Sequence, residues 1–554
     1  MRIVVNQIFV TRIRAIVILG CFLLSSNGLI IANTFVEDET ACKSLLATRN
    51  LTLQLAVLVE ATETTPRHCY VKGVISPAIV YHVQLPLPQN WNGRFVNWGD
   101  GGKDGDLDFA YHRVAQGYVV ANSNTGHDNG SEPGASFGYN NRQAEIDFGY
   151  RAVHLTVNAA RTVITAYYGK EADYSYHEGC STGGRQGLME AQRYPYDFDG
   201  IIAGAPVNFY QELNTTHVWM LQRVFEDHFA GNLAFDTDGN GTHDSMTKLS
   251  ILTEAVMEKC DARDTITDGV VDDPLSCNFD PDIDLKDKMC VGDVNGDECF
   301  TQAQLQLIKD FYRGAYDSND VTILKGLAFG AEKRWVRYLP HVGNNMFPLS
   351  LVNASNHASY LFYETDPGVP VQDPVDLSHV PVRDQIQNEW AWWEFNIDDV
   401  TSEKADFMRA ITNADDPDLT RYLIDRGGKL LLYHGWVDVA AHPEPTLDYY
   451  KDVIDITFKG DIEVARSHAR LFMVPGMGHC GGGPGPNSWD KLASLVAWVE
   501  KGDAPDYVVA THSTDGLVDN ERKVCAYPEL AVYTGPDAGQ NNALNWIHRN
   551  FSCR

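Results

Sequence analysis

Gly179-Cys180-Ser181-Thr182-Gly183 constrains this chain more than any other stretch. It follows a strand-like run, Tyr174-Ser175-Tyr176-His177, and precedes a segment of helical composition, Leu188 to Arg193. A Gly-x-Ser-x-Gly pentapeptide at a strand-to-helix turn strains the serine backbone and exposes its hydroxyl, while the small flanking residues let neighbouring backbone come close. Alone, the pentapeptide is more often a plain turn. Here the strand before it, the helix after it and the buried run Ile201-Ile202-Ala203 beyond make a strand–helix–strand unit of a parallel sheet. That context makes Ser181 a candidate nucleophile.

The rest of the chain extends the same architecture. Val80 to Leu85, Arg94 to Trp98 and Tyr118 to Ala121 read as short strands. Phe148, Ala152, Leu155, Ala159 and Val163 recur at helical spacing and give one apolar face, with Gly169 as a stop. From about Asn208 the character changes to Asp-, Asn- and Gly-rich sequence with an aromatic cluster, Trp390, Trp392, Trp393 and Phe395. Alternation resumes with strand-like Lys429 to Tyr433 and Leu471 to Val474. A helical stripe of Trp489, Leu492, Val496 and Val499 follows, ending at Gly502. The expected fold class is α/β: an α/β-hydrolase sheet with a large inserted lid. The expected divisions are 1–33 as a signal peptide, 34–207 and 427–554 as the two parts of the catalytic domain, and 208–426 as the lid.

A serine hydroxyl needs a base. On this fold the order is serine, acid, histidine, the last two on loops after strands. Asp438 follows the strand ending at Tyr433 and His479 follows the strand ending at Val474, so each sits beyond a strand's carboxyl end, where such sheets place their sites. His434, His442 and Asp448 are the competing residues. Cys180 precedes Ser181 and Cys480 follows His479. A bond between them would put their Cα atoms roughly 5.5–6 Å apart and hold nucleophile and base in register; the alternative is two unpaired thiols. The oxyanion donors are expected from the amide of Thr182 and from the turn Gly99-Asp100-Gly101-Gly102-Lys103, through Gly101 or Gly102. A plain glycine turn is the other reading of that segment.

Charge and cysteine content narrow the functional class. A net charge of −30 argues against nucleic-acid binding. Arg2, Arg12 and Arg14 precede a short apolar run, Ala15 to Leu24, with Ala32 beyond, as in a signal peptide. An uncleaved anchor is the alternative. Later apolar stretches are too short to span a bilayer, so a secreted mature form, extracellular or periplasmic, with no membrane association is expected. Cys21 lies in the leader; the others are even in number, which suits disulfides in an exported chain, and no Cys-x-x-Cys pair points to zinc.

Gly-Cys-Ser-Thr-Gly-Gly-Arg-Gln at 179–186, His-Gly-Trp-Val-Asp at 434–438 and Gly-His-Cys at 478–480 together resemble the tannase and feruloyl esterase family. The similarity also covers Phe148 to Pro206 and the Cys-rich insertion. It implies an α/β-hydrolase with a lid that hydrolyses esters of aromatic acids, small or polysaccharide-linked: galloyl, feruloyl and other hydroxycinnamoyl esters, and in one branch a terephthalate monoester. It implies the Cys180–Cys480 bond. With proximity, it implies pairs of Cys42 with Cys69, Cys260 with Cys277, Cys290 with Cys299 and Cys525 with Cys553. The lid would supply an acyl-pocket wall, for which Trp390, Trp392, Trp393 and Phe395 are candidates; lid core is their other reading. The competing functions are a peptidase or lipase on the same fold, or a non-catalytic binding protein.

Asp261, Asp264 and Asp268 fall within one short loop, and Gly269 eases its turn. Hard cations such as Ca²⁺ take six to eight oxygen ligands. The resemblance implies a structural Ca²⁺ here, with the carbonyls of Ile266 and Val270 completing the set; a solvated acidic loop is the alternative. Asp236-Thr237-Asp238-Gly239-Asn240-Gly241 resembles the start of an EF-hand loop, but Thr247 stands where the twelfth ligand should be, and a plain turn is expected.

Overall fold

Strands buried on both faces read as continuous apolar runs, and these runs form the centre of the molecule. In the computed structural model, nine strands make one sheet: β1 (Thr52–Val59), β2 (His68–Ile75), β3 (Ile79–Pro86), β4 (Arg94–Trp98), β5 (Val119–Ser123), β6 (Tyr174–Cys180), β7 (Gly200–Gly204), β8 (Lys429–Gly435) and β9 (Ala469–Val474). Their order is β1-β2-β3-β5-β4-β6-β7-β8-β9. The strands from β5 to β9 run parallel, and β1 to β3 extend one edge antiparallel. The structure describes residues 37–264, 266–344, 348–362, 392–536, 542 and 546–554, the side chains of residues 264, 352 and 353 excepted. The expected signal segment 1–33 and Trp390 lie outside these residues.

Alternation along each strand feeds two cores. Phe95, Ile201, Ala203, Leu430, Leu432 and Leu471 pack on one face with helix α1 (Ala152–Tyr168), helix α2 (Thr182–Arg193) and a third helix, Pro443–Thr457. Val96, Ile202, Leu431, Tyr433 and Phe472 pack on the other with Leu492, Leu495 and Trp498 of the helix Lys491–Lys501. Helices on both faces of a mostly parallel sheet are the expected α/β-hydrolase architecture. Gly169 and Gly502 end their helices in left-handed conformation, at φ 73° and φ 80°. Two details differ from the sequence reading. Leu155 is half-buried, and Trp489 lies ahead of its helix, because Asp490 caps the first turn by accepting from the Ala493 N–H at 3.1 Å.

Between β7 and β8 the chain leaves the sheet and builds a second core around Trp219, Leu252, Phe311 and Trp335. Its first helix, α3, spans Tyr210–Phe229. The ends of this excursion meet, since the Ala414 N–H donates to the Asn208 carbonyl at 2.8 Å. Beyond that bond Leu419, Tyr422 and Leu423 pack with the sheet, so part of the stretch 208–426 belongs to the sheet core. A C-terminal hairpin, Tyr507–Thr514 with Leu517–Cys525, closes the chain and is tied by Cys525–Cys553.

α2 lies close against the sheet because its glycines allow it. A Cβ on Gly183 would come 2.8 Å from the Asp100 carbonyl oxygen, and one on Gly184 would come 2.4 Å from that of Gly204. Glycine costs about 1 kcal/mol against alanine inside a helix, so close approach is what these positions serve. Gly184→Ala is therefore expected to destabilise by ~1–3 kcal/mol, through overpacking, despite its better helix propensity. An unchanged or raised midpoint in urea unfolding would contradict this account.

Candidate active site

Ser181 stands between β6 and α2 with φ 62° and ψ −125°, a conformation that non-glycine residues rarely adopt. Its N–H donates to the Gly204 carbonyl at 2.9 Å, and its carbonyl accepts from the Arg185 N–H at 3.0 Å. Gly179 must be small, because a Cβ there would meet the Gly183 carbonyl oxygen at 2.4 Å. Beneath the turn, buried His177 accepts from the Asn97 amide at Nδ1 (3.2 Å) and donates from Nε2 to the Gly183 carbonyl (2.8 Å). These contacts present the Ser181 hydroxyl at the carboxyl end of the sheet.

The other two expected residues meet it there. Trp436 to Asp438 turn off the end of β8, and Pro475 to His479 turn off the end of β9. His479 Nε2 lies 2.8 Å from Ser181 Oγ, and His479 Nδ1 lies 2.7 Å from Asp438 Oδ2. Asp438 is fully buried, and its Oδ1 accepts from the N–H groups of Ala440 (2.8 Å) and Ala441 (3.0 Å). His434 Nε2 approaches the same carboxylate at 3.2 Å. Burial alone would raise the Asp438 carboxyl. The charge of His479 and the hydrogen bonds of His434 and His479 outweigh it and hold the group well below the usual carboxylate range. The competing residues have other roles, His434 supporting Asp438. His434 is bound to Thr446 and Ala441, His442 to the Lys325 carbonyl, and Asp448 to Lys325.

All five expected disulfides are present: Cys42–Cys69, Cys180–Cys480, Cys260–Cys277, Cys290–Cys299 and Cys525–Cys553. Cys180 and Cys480, 300 positions apart, have their Cα atoms at 5.9 Å, so a covalent link joins the serine turn to the histidine loop. The glycine turn comes to the same place. Thr182 Oγ1 donates to the Gly102 carbonyl at 2.6 Å, and Gly101 and Gly102 wall the cavity beside Ser181. The turn is fixed from behind by Asp100, whose N–H donates to Gln186 Oε1 at 3.1 Å and whose carboxylate accepts from Asn122 and Gln186.

Two cavities open on Ser181 and His479. One, of about 220 Å³, is walled by Val207, by Tyr210, Leu213 and His217 of α3, and by Lys103 and Arg337. The other, of about 450 Å³, lies between Trp98, Glu178, Tyr433 and Lys491. Trp392 and Phe395 reach neither. They are buried with Val218, Leu221 and Leu351 in the core of the excursion, and Gln222 Nε2 binds the carbonyls of Trp392, Trp393 and Phe395. Trp392, Trp393 and Phe395 are thus packing, and among the described residues Tyr210 brings a phenol ring to the smaller cavity. Sequence reading missed Tyr210, His177, Gln186 and Arg185. Arg185 and Gln186 had a signal, one turn after Ser181. Buried Arg185 ties that turn to the Gly149 (2.9 Å) and Thr412 (3.1 Å) carbonyls.

In the acidic loop, Asp261 Oδ1 accepts from the N–H groups of Asp268 and Gly269, each at 3.2 Å. Asp268 Oδ1 accepts from the Val270 N–H at 3.1 Å, and its Oδ2 pairs with Arg522 at 2.9 Å. Burial raises both carboxyls, and the charge of Asp268 raises Asp261 further. Ile266 and Val270 are buried beside them; the side chain of Asp264 is outside the described residues. Two neighbouring carboxylates are the hard oxygen donors a cation such as Ca²⁺ takes, and here they are occupied by backbone N–H groups and by Arg522. The Asp236 loop instead turns on itself: Asp236 accepts from the N–H groups of Gly239 (2.8 Å) and Gly241 (2.7 Å).

The model of a family described as tannase and feruloyl esterase matches residues 64–546. A mono(2-hydroxyethyl) terephthalate hydrolase of Piscinibacter sakaiensis is 31% identical over 545 residues, covering 88% of this chain and 85% of its own. Feruloyl esterase B of Aspergillus niger is 30% identical over 473 residues, covering 81% and 80%. In fold, the crystal structure of feruloyl esterase B from Aspergillus oryzae superposes with a TM-score of 0.74 at 23% identity, over 93% of this chain and 100% of that one. The sheet and these relatives define a carboxylic ester hydrolase on the α/β-hydrolase fold. Within that class, the chain belongs to the tannase and feruloyl esterase family.

The Cys180–Cys480 link is expected to serve register as well as stability. Removing it with Cys180→Ala and Cys480→Ala should lower kcat/KM at least tenfold in protein that is still folded, because displacements near 1 Å cost rates of that order or more. Full activity in the double variant would refute this role.

Proposed function

We propose that this chain hydrolyses esters of aromatic acids, such as feruloyl or galloyl esters, through an acyl-enzyme on Ser181. The observation that carries the proposal is the unbroken chain from Asp438 through His479 to Ser181, at 2.7 Å and 2.8 Å, opening on two cavities. His479 Nε2 takes the serine proton as Oγ attacks the ester carbonyl carbon. Asp438, ionised throughout, orients the imidazole and stabilises the imidazolium. The N–H groups of Thr182 and of Gly101 or Gly102 hold the tetrahedral oxyanion. Collapse expels the alcohol, which receives the proton from His479. Water then gives a proton to His479, attacks the acyl carbon and releases the acid, and Ser181 regains its proton. The acyl ring sits in the smaller cavity, where Val207, Tyr210 and Leu213 offer an apolar wall. The names of the relatives, a terephthalate monoester hydrolase and a feruloyl esterase, support an aromatic acid on that side.

The same reading places a structural Ca²⁺ on Asp261, Asp264, Asp268 and the carbonyls of Ile266 and Val270. The buried pair Asp261 and Asp268 supports it. Bound there, the ion would neutralise the loop that Cys260–Cys277 closes. The reading also takes the chain as secreted, supported by the basic-then-apolar leader, by five disulfides, and by the absence among the described residues of any helix long and apolar enough to cross a membrane.

Initial rates on methyl gallate, methyl ferulate and a terephthalate monoester test the activity. At least one should turn over; Ser181→Ala should abolish that turnover, and Asp438→Asn should lower kcat by ~10³–10⁴-fold. No turnover of any by folded, calcium-loaded protein would overturn the aromatic-ester reading. For the metal, EGTA should lower the thermal midpoint by about 3 °C or more and added Ca²⁺ should restore it; a midpoint indifferent to both would remove calcium from the account.

A further inference from the structure

Outside the serine site, three side chains able to ligate a metal converge from separate elements. They are His154 on α1, Glu190 on α2 and Asp197 in the turn before β7. Each offers one ligand atom, and the three atoms lie within 4.8 Å of one another. Glu190 is only 1% exposed, and neither of its carboxylate oxygens meets a hydrogen-bond donor among the described residues. A carboxylate buried in that state takes up a proton or a cation. Burial first, then the charge of Asp197, pushes the Glu190 carboxyl well above its usual range, and the charge of Arg161 opposes them.

The neighbours account for Asp197 and leave Glu190 over. Arg161 donates to Asp197 Oδ1 at 3.2 Å, to the Tyr196 carbonyl at 3.3 Å and to the Asp197 carbonyl. His154 Nδ1 lies 2.6 Å from Asp197 Oδ2. The imidazole is held in that orientation. Its ring stacks on Tyr194, with centroids 3.8 Å apart and planes at 7°, and the Asn158 amide lies 3.1 Å from Nε2. The His154 side chain is 27% exposed, which gives an ion a way in.

We propose that His154, Glu190 and Asp197 bind a divalent transition-metal ion, Zn²⁺ or one of similar chemistry, that ties α1 and the turn before β7 to the helix starting beside the nucleophile. An imidazole nitrogen with two carboxylates suits such ions, whereas Ca²⁺ takes oxygen ligands. The ion's two charges balance the two carboxylates. His154 Nδ1 gives up its proton to solvent, and Nε2–H donates to the oxygen of Asn158 once that amide turns over. Water completes a tetrahedral set. No cysteine takes part, and positions 154, 190 and 197 are too scattered to form a sequence motif. The competing occupant is a proton shared between the two carboxylates.

Titrating Zn²⁺ into the full chain near neutral pH, in saturating Ca²⁺ so that the acidic loop does not contribute, separates the two. Calorimetry should show one equivalent bound, with the thermal midpoint raised by about 2 °C or more. Co²⁺ should give visible d–d bands that Zn²⁺ abolishes. His154→Ala and Glu190→Gln should each weaken Zn²⁺ binding at least tenfold and remove the gain in midpoint. Glutamine keeps the shape of a protonated Glu190, so that variant should fold without metal; should it fail to, His154→Ala, at a part-exposed position, carries the comparison. Absence of a bound equivalent in the wild type overturns the proposal, as does equal affinity in the wild type and both variants. A Glu190→Gln protein as stable as the metal-free wild type, with Zn²⁺ moving neither midpoint, assigns the pair a shared proton and overturns the metal.

Discussion

Ser181 occupies a backbone conformation that costs of order 1–3 kcal/mol, and the surrounding structure must over-determine it. Hydrogen bonds fix the peptide on both sides, to Gly204 before it and from Arg185 after it. Gly179 and Gly183 let β6 and the first turn of α2 close on each other, and His177 braces that turn from below. The strain therefore sets requirements well beyond one residue: small side chains on one face of a helix, a buried imidazole under it, and a glycine turn pressed against its start. Removing any of these relaxes the serine toward ordinary backbone and away from His479.

Charge is arranged with similar economy. A chain this acidic could surround its site with carboxylates, yet the one beside His479 is sealed from solvent and supplied with two backbone donors and a second histidine. A buried carboxylate without such partners would take up a proton. His479 first, then His434, keep Asp438 an anion, and the amides of Ala440 and Ala441 add their hydrogen bonds. Its negative charge is thereby spent on the imidazole and not on water.

Much of this could be read in the sequence, because the signals were local. The turn around Ser181, the strands before Asp438 and His479, and the helix stops at Gly169 and Gly502 each depend on a few neighbouring residues. What stayed hidden depends on contacts between distant ones. Nothing near Tyr210 marks it as a cavity wall, since α3 must first fold back over the serine. Trp392 and Phe395 looked like binding residues by composition, but a helix thirty or more positions away, with Leu351 on it, covers them. Edge strand β1 carries an apolar run from Leu55 to Val59 yet buries only Ala56 fully, and the C-terminal hairpin strand Leu517–Cys525 carries Asp519, Asn520 and Glu521 along its exposed half, so neither shows the signal of a strand buried on both faces.

The bond between Ala414 and Asn208 closes the excursion at its neck. Loop-closure entropy grows only slowly with length, so what lies beyond such a neck can lengthen, shorten or be replaced at little cost to the sheet. The cavity draws Ser181 and His479 from the sheet side of the neck, and Tyr210, Leu213 and Arg337 from beyond it. Reaction thus sits on one side of the neck, while the cavity wall is shared across it, with Lys103 and Val207 contributed from the sheet side. A lineage could exchange its appetite for one acid for another without touching the machinery that cuts the ester.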